Sequence, residues 1–456
     1  MINTLYLPEL RELLAEGNAQ ELREFCEAMH PARTAEFMEG LAADEAWAVL
    51  QHTEVVHRGE IFGFFEADRQ HEILVGQDRA QVAEMVAELA PDDRTDVLQI
   101  LDEDILEDIL QRLPSEERRN YLRLSAYPDG TAGAVMTSEV AKLAADLTIE
   151  TAISEIGRQS EEYETIYYLY VVDADDHLLG LVSTRQLLAG MRNPNTLLSE
   201  IMETDLIVCD AMEDQEEVAA KVAKLDLLAI PVVDPERKML GIITHDDVID
   251  VVHEEAIEDA HRSAAVDPLD ESYLKTSLIT LSWKRGIWLI VLFVFALLTA
   301  IILSENESKL QTWAWLAPFI PLVISSGGNT GNQSATLIIT ALARGHVTLR
   351  DWRKIVRREL LMGLILGGLL SGLGYLSMVL MGRVDFVSRE ALVVPITLLL
   401  VVLSGTLTGA LMPLIFARLG LDPALMSNPF VAGIVDIVGI LIYMYVTVLL
   451  LGPPIV

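Results

Sequence analysis

Three glycines and three side-chain amides lie within the stretch Pro321-Leu322-Val323-Ile324-Ser325-Ser326-Gly327-Gly328-Asn329-Thr330-Gly331-Asn332-Gln333, inside an apolar run from about 312 to 342. Such a run is long enough to cross a membrane, where polar groups are tolerated only if protein or water covers them. A tight helix crossing of the small-residue type explains the glycines. It does not explain the amides. Together with any unwound carbonyls, these predict a polar surface of neutral oxygens at membrane depth.

Five apolar stretches in the last third of the chain are long enough for transmembrane helices, each needing about 20 residues. They run from about 286 to 303, 312 to 342, 360 to 381, 392 to 417 and 429 to 451. Basic residues, which favour cytoplasmic loops, fall mainly on one side: Lys284, Arg285, Arg344, Arg350, Arg353, Lys354, Arg357, Arg358 and Arg418, against Lys309, Arg383 and Arg389. The sequence therefore predicts a cytoplasmic amino terminus and an external carboxyl terminus.

The net charge of −35 is unevenly distributed. Residues 1 to 270 hold 20 Lys and Arg against 59 Asp and Glu, whereas residues 271 to 456 hold 13 against 9. With no signal peptide predicted, we expect the acidic part to stay in the cytoplasm. Its two cysteines, Cys26 and Cys209, lack the close spacing of a zinc or redox site, so we interpret them as structural thiols.

Residues 1 to 130 show helical periodicity broken at Pro or Asp clusters. Leu89-Ala90-Pro91-Asp92-Asp93-Arg94 is echoed by Leu113-Pro114-Ser115-Glu116-Glu117-Arg118, which predicts stacked helical hairpins in a small all-α superhelix. Acids after a proline are also ordinary helix-start chemistry. A structural and a ligand role for them therefore stay equally open.

Residues 131 to 252 contain an α/β repeat. Residues 168 to 173 and 180 to 183 are matched by residues 229 to 234 and 241 to 244, with the same order of strand, turn, Gly, strand and polar turn. This arrangement resembles a tandem pair of CBS domains.

The CBS resemblance implies an adenosine nucleotide such as ATP as a ligand. A hydroxyl residue at a strand end and an acid three positions later would contact it. Thr244 and Asp247 fit this pattern in the second repeat, whereas Ser183 is followed by Gln186 in the first.

An acidic helix follows the repeats and leads into a connecting segment, which we assign to residues 253 to 281. Acids recur at four-residue spacing, and like charges so spaced destabilise a helix: Asp246, Asp250, Glu254 and Glu258, with Asp247, Glu255 and Asp259 beside them. A solvated acidic face is the usual explanation. Because hard cations prefer oxygen ligands, our hypothesis is that divalent ions bridge this helix to the amino-terminal domain.

Asp436 lies in the last apolar stretch, where an ionised group costs roughly 2.5 to 3.5 kcal/mol. Either the carboxylate is functional, or it is protonated and hydrogen-bonded to a neighbouring helix.

The chain as a whole closely resembles the MgtE family of magnesium channels, most specifically at residues 327 to 336 and at Asn428, Pro429, Ala432 and Asp436. The resemblance implies a homodimer whose connecting helices act as plugs. It implies a pore site at Asp436, Ala432, Asn332, Asn329, Gly328 and Asn428. It also implies closing sites at Glu60, Asp92, Asp96, Glu216, Asp226, Asp246, Asp247, Asp250, Glu255, Glu258 and Asp259.

We therefore predict a multidomain membrane protein. It comprises the helical superhelix, the α/β pair, a connecting plug helix and, from residue 282 to 456, a five-helix α transmembrane domain. The expected function is a Mg²⁺-selective channel of the bacterial inner membrane, closed by internal Mg²⁺; the alternative is a carrier coupled to H⁺ or Na⁺. No nucleic-acid partner is expected. No span carries a metalloprotease motif or a nucleophile with a base, and His346 lies in a basic loop, so an enzyme is not expected.

Overall fold

A computed structural model describes residues 5 to 159, 163 to 269, 273 to 381 and 388 to 452, without the side chains of residues 309 to 310 and 425 to 428. The chain divides into two compact units, Met1–Glu254 and Glu255–Val456. Each unit has its own hydrophobic cores.

Ten short helices form the amino-terminal part of the first unit: α1 (Leu7–Glu16), α2 (Ala19–Glu27), α3 (Pro31–Met38), α4 (Ala43–Leu50), α5 (Val55–Gly63), α6 (Ala67–Val75), α7 (Arg79–Ala87), α8 (Pro91–Gln99), α9 (Glu103–Arg112) and α10 (Ser115–Leu124). Several begin at a proline, whose fixed φ suits a first turn. Arg94 of α8 is buried and donates to the carbonyls of Val86, Ala87 and Leu89, which ties successive hairpins together. The predicted stack of helical hairpins is confirmed.

The two α/β repeats each contain a three-stranded sheet with one parallel and one antiparallel strand pair. The elements are β1 (Val140–Ala144), α11 (Ile149–Gln159), β2 (Thr165–Val172), β3 (Leu178–Ser183), α12 (Thr184–Gly190) and α13 (Leu198–Ile201), then β4 (Cys209–Asp210), α14 (Gln215–Leu225), β5 (Ala229–Val233) and β6 (Met239–Thr244). Tyr168 pairs with Ser183 just as Ala229 pairs with Thr244. The predicted internal repeat is confirmed down to strand register.

Helix α15 (His245–Ser263) carries the acidic residues, and the unit boundary falls within it. The helix ends well before residue 281. Ala265 adopts a left-handed conformation (φ 59°) and Pro268 follows, and neither favours continuation of a helix. The next helix starts at Leu278.

The second unit is helical: α16 (Leu278–Glu305), α17 (Glu307–Thr312), α18 (Ile320–Ala343), α19 (Trp352–Leu380), α20 (Val393–Arg418) and α21 (Pro423–Leu451). In the described part of the chain, four helical segments are long and apolar enough to cross a membrane: Leu278–Glu305, Leu349–Leu380, Glu390–Arg418 and Pro429–Leu451. Helix α18 is not among them, since its centre holds the Ser, Gly and Asn residues of residues 325 to 333. The apolar run predicted from 312 to 342 is also divided, because a 3-10 turn over Ala314–Phe319 precedes α18.

Candidate functional site

One face of α18 is polar along its centre. Asn329, Asn332, Gln333 and Thr336 line an open groove of about 660 Å³ together with Leu337. At 100° per residue these four polar positions fall within one sector of about 100° on the helix. The helix is continuous through the motif, so the expected unwound carbonyls are not released and side chains supply the polar atoms.

The opposite face of α18 carries Gly327 and Gly331 and packs against α20. A methyl group on Gly409 would lie 2.0 Å from the carbonyl oxygen of Gly331, and one on Gly405 would lie 2.5 Å from that of Gly327. Only a hydrogen atom fits at either contact. The predicted tight helix crossing is thus confirmed for these glycines. The side-chain amides take no part in it and line the groove instead.

Asp436 is half-buried on α21 and lies near the polar motif of α18. A methyl group on Gly328 would lie 3.9 Å from Oδ1 of Asp436, so the missing side chain leaves the carboxylate accessible at this point. Ala432 precedes Asp436 by one helical turn and is half-buried on the same face.

Asn332 and Asn329 differ in how their polar atoms are used. Oδ1 of Asn332 is buried without a hydrogen-bond partner among the described residues, whereas Nδ2 of Asn329 donates to Oγ of Ser325 at 3.2 Å. A buried acceptor without a donor is costly unless water or a ligand shell supplies one. The side chain of Asn428 lies outside the described residues.

A second acidic site forms within the first unit, where the start of α8 meets the start of α15. The negative charge of Asp247 helps to raise the pKa of three acids on α8, Asp92, Asp93 and Asp96. Asp246 and Asp250 add to the field at Asp93. The structure therefore brings together the two acidic segments that the sequence placed 150 residues apart.

Burial and then mutual repulsion raise the pKa of these carboxyl groups. Asp92 is affected most strongly, while the pKa of Asp96 and that of Glu164 are raised to about 7. Asp96 and Glu164 keep part of their side chains in contact with solvent, but the surrounding protein and the neighbouring acids still disfavour their ionised forms. Four or more carboxyl groups thus share a place where negative charge is costly.

One unpaired oxygen atom in the cluster supports a divalent cation as its ligand. Oδ1 of Asp92 is buried and has no hydrogen-bond partner among the described residues. An unsatisfied buried carboxylate oxygen beside other carboxylates is what a cation would neutralise. Among the described residues, however, no group of three or more His, Cys, Asp or Glu side chains is arranged to hold a metal ion directly.

The side chain of Asp247 accepts hydrogen bonds from Thr244 at the start of α15. The amide and hydroxyl of Thr244 donate to Oδ2 of Asp247 at 2.9 and 2.7 Å, so one oxygen of this acid supports the start of α15. Ser183 and Gln186 form a capping box at the start of α12. In both repeats, the pattern that resembles a nucleotide contact also caps a helix.

A cavity of about 280 Å³ opens at the first repeat's cap. It is lined by Ser183, Gln186, Tyr168, Glu203 and Asp205, among others. The cavity therefore lies at Ser183 and Gln186 of the first repeat, which depart from the nucleotide pattern that Thr244 and Asp247 follow in the second repeat.

The remaining sequence-predicted acids of the first unit do not converge in the structure. Glu60 is exposed on α5 and pairs with His57, whose Nδ1 lies 2.7 Å from Oε2. Glu216 lies in the first turn of α14 and Asp226 ends that helix, so about 15 Å of helix separates them.

A third acidic group lies in the second unit, at the junction of α15 and α21. Burial and the charges of nearby acids, including Asp422, raise the pKa of both Glu258 and Asp259, and Glu255 adds to this field. Arg262 pairs with Glu258 and lies 2.7 Å from Oδ2 of Asp422. Asp422 also caps α21 through the amide of Ala424 at 2.7 Å.

Sequence reasoning missed Asp93, Glu164 and Asp422. Asp93 stands beside Asp92 in the echoed motif and offered a signal. Glu164 lies in a loop next to residues outside the described part, and Asp422 stands alone between the last two apolar stretches, so neither residue belonged to an acidic pattern in the sequence.

Known proteins and family models match the chain over nearly its whole length. Residues 320 to 446 match the family model described as MgtE, divalent cation transporter; residues 29 to 130 match the MgtE intracellular N domain; and residues 132 to 193 and 198 to 254 match the CBS domain. The chain is 37% identical to the magnesium transporter MgtE of Thermus thermophilus over 447 residues, which is 97% of this chain and 98% of the relative. It is 30% identical to that of Bacillus subtilis over 434 residues, 94% of each chain.

Two solved structures resemble the first unit. One is the soluble part of a magnesium transporter, with a TM-score of 0.52 and 33% identity, covering 55% of this chain and 97% of that chain. The other is the cytosolic domain of the Mg²⁺ channel MgtE in complex with ATP, with a TM-score of 0.51 and 32% identity, covering 53% and 98%.

Proposed function

Because this chain belongs to the MgtE family of magnesium transporters, we propose that it is a Mg²⁺-selective channel that Mg²⁺ closes from the cytoplasmic side. It is a transporter and not an enzyme. We propose conduction through a channel, a gate operated by Mg²⁺ and a homodimeric assembly. The observation that carries this proposal is the position of Asp436 beside Gly328, next to the amide face of α18.

Asp436 supplies the charge that attracts the ion. Mg²⁺ sheds water reluctantly and usually keeps several waters in a protein site. A carboxylate beside a helix face lined with side-chain amides suits such a hydrated ion, since the amide oxygens of Asn332 and Asn329 can accept hydrogen bonds from its water shell. Asn428 and the backbone carbonyl of Ala432 complete the proposed set.

One carboxylate per chain is sparse for a divalent cation. A homodimer with the pore on its axis would supply two. The open groove on α18 supports this arrangement, because a polar surface at membrane depth needs cover from protein or water. We propose that five helices cross the inner membrane, α18 included, with the amino terminus in the cytoplasm and the carboxyl terminus outside.

Mg²⁺ closes the channel by binding the acids of the cytoplasmic part. The regulatory set comprises Glu60, Asp92, Asp96, Glu216, Asp226, Asp246, Asp247, Asp250, Glu255, Glu258 and Asp259, with Asp93, Glu164 and Asp422 added by the geometry. A cation that relieves the repulsion between Asp92 and Asp247 favours the state in which they are close. The connecting segment, residues 253 to 281, would then act as the plug.

An adenosine nucleotide is a second proposed ligand of the repeats. A relative's cytosolic domain binds ATP, and the cavity at Ser183 and Gln186 supports a site there more strongly than Thr244 does. Isothermal titration of ATP against Gln186→Asp and wild type tests this placement. Tighter binding by the variant is expected, and identical binding would remove Gln186 from the site.

The transport proposal is tested by ion flux in proteoliposomes. Asp436→Ala should abolish Mg²⁺ uptake while the protein still elutes as a folded assembly, and Asp436→Asn should weaken it. Near-normal uptake by the alanine variant would remove Asp436 from the mechanism. Uptake that requires a proton or Na⁺ gradient would favour the carrier.

The gating proposal is tested by single-channel recording at high internal Mg²⁺. Neutralising Asp247 and Asp250 together should raise the open probability, because fewer carboxylates remain to bind the closing ions. Asp104→Asn together with Asp108→Asn serves as a control, since both acids are exposed on α9 and lie outside the proposed regulatory set. A double variant that closes as wild type does would contradict the proposed gate.

A further inference from the structure

Helix α19 contains a buried carboxyl group that the proposed ion pathway does not use. Glu359 is only 9% exposed, although it lies ten residues inside a segment able to cross a membrane. Among the described residues no Lys, Arg or His forms an ion pair with it. An acid at such a place is costly and is retained only where it has a task.

The Glu359 side chain connects α19 to the back of α18. Oγ of Ser334, itself 6% exposed, donates to Oε2 of Glu359 at 2.7 Å. The hydroxyl of Thr406 on α20 donates to the backbone carbonyl of Glu359 at 3.3 Å. Three helices therefore meet at this residue, and Ser334 is the α18 partner.

Ser334 lies almost opposite the amide face of α18. At 100° per residue it is about 160° from Asn332 and about 100° from Gln333. The glycine contacts set how close α18 approaches α20. The Ser334 bond instead resists rotation of α18 about its own axis, and a rotation of about 20° would move a side-chain amide by about 2 Å.

We propose that Glu359 is a positioning residue for transport: through Ser334 it fixes the rotation of α18 and thereby holds the amide face toward the groove. Its task requires an acceptor for the Ser334 hydroxyl and does not require a negative charge. The inference rests on the proposed function, in which that amide face contacts the hydrated ion.

Four variants test the proposal in proteoliposomes. Glu359→Gln keeps an acceptor oxygen and should transport Mg²⁺ within about twofold of wild type. Glu359→Leu and Ser334→Ala remove the bond and should lower Mg²⁺ uptake by about tenfold, the population change expected for one hydrogen bond. They should also change the ratio of Mg²⁺ to Ca²⁺ uptake, which a general loss of stability would not do.

Ser371→Ala is the matched control. Its hydroxyl donates to the carbonyl of Pro395 at 2.6 Å and links α19 to α20 without touching α18. The control should transport as wild type does. An equal loss in the control, or full transport by Ser334→Ala, would overturn the proposal, as would a Glu359→Gln variant as impaired as Glu359→Leu.

A readout independent of transport separates this inference from the function it rests on. A cysteine at Thr336 reports the rotation of α18 through its rate of reaction with a charged thiol reagent, since Cys26 and Cys209 are buried. Adding Ser334→Ala should change this rate at least threefold, and adding Ser371→Ala should not. An unchanged rate would overturn the rotation even if the channel transports Mg²⁺ normally.

Discussion

Gly409→Ala tests the crossing of α18 and α20, which sets where the amide face lies. The new methyl group would be 2.0 Å from the carbonyl oxygen of Gly331 and 2.8 Å from its carbonyl carbon. Ordinary contacts begin near 3.4 Å, and both neighbouring atoms belong to the backbone. The helices must therefore separate by more than about 1 Å, because no side chain can turn aside.

The expected cost follows from this overlap. Overpacking of this kind costs about 1 to 3 kcal/mol, and a helical alanine returns up to about 1 kcal/mol through its propensity. Gly368→Ala is the matched control, because a methyl group there meets nothing within 4 Å and gains the same propensity. The difference between the two variants should be about 2 kcal/mol, or about 4 to 8 °C in melting temperature for a unit of this size.

The assay is thermal unfolding of the purified protein in detergent, followed by Mg²⁺ uptake in proteoliposomes. Gly409→Ala should melt below Gly368→Ala and transport more slowly, since α18 has moved with its amides. Equal melting temperatures would show that α18 and α20 do not approach as closely as the structure has them.

Three further predictions concern other parts of the chain. Gly328→Ala should melt within about 2 °C of wild type, because its new methyl group meets no atom closely enough to clash. The variant should nevertheless take up Mg²⁺ more slowly, because the methyl group lies beside Asp436. Normal uptake would contradict the idea that the ion reaches Asp436 past Gly328. Burial and neighbouring acids raise the pKa of Asp96 from 3.8 to about 7, so its contribution to stability is complete below about pH 4 and is lost by about pH 7. Without divalent ions the melting temperature should therefore fall between about pH 4 and pH 7, and millimolar Mg²⁺ should reduce that fall. Arg262→Asp should lower the melting temperature, and adding Asp422→Arg should restore part of the loss by re-forming the ion pair in reverse. A double-mutant cycle should give a coupling free energy of about 1 kcal/mol. Strictly additive melting shifts would argue against the ion pair.

Local sequence signals predicted the elements whose residues lie close together in the chain. The repeat from residue 168 to 244 predicted two similar sheets, because each strand pair and its turn form one continuous segment. The glycines of residues 327 to 331 predicted a helix crossing, since a missing side chain has few other uses inside an apolar run.

Other features depend on tertiary contacts and could not be predicted from spacing. Glu164 joins the acids of α15 only because β2 brings it there, and Asp422 joins Arg262 only after α21 has packed. Glu359 stands at the edge of a predicted span, and its partner Ser334 is 25 residues away. The 3-10 turn before α18 lies among residues as apolar as those of the helix, so the apolar pattern did not reveal the break.

The acidic cluster and the polar face of α18 differ in how strongly they should hold a cation, and the proposed function assigns the same ion to both. Around Asp92 and Asp247 the fold places like charges together, so the folded arrangement gains stability when a cation binds. Asp436 is a single half-buried carboxylate beside Gly328 of α18, and one carboxylate per chain favours entry and exit over tight retention. A cation with a firmly held water shell suits the groove and still neutralises the cluster. The proposed feedback therefore needs no second messenger. The transported ion is itself the ligand that neutralises the cluster, and without it the carboxylates of the cluster repel one another.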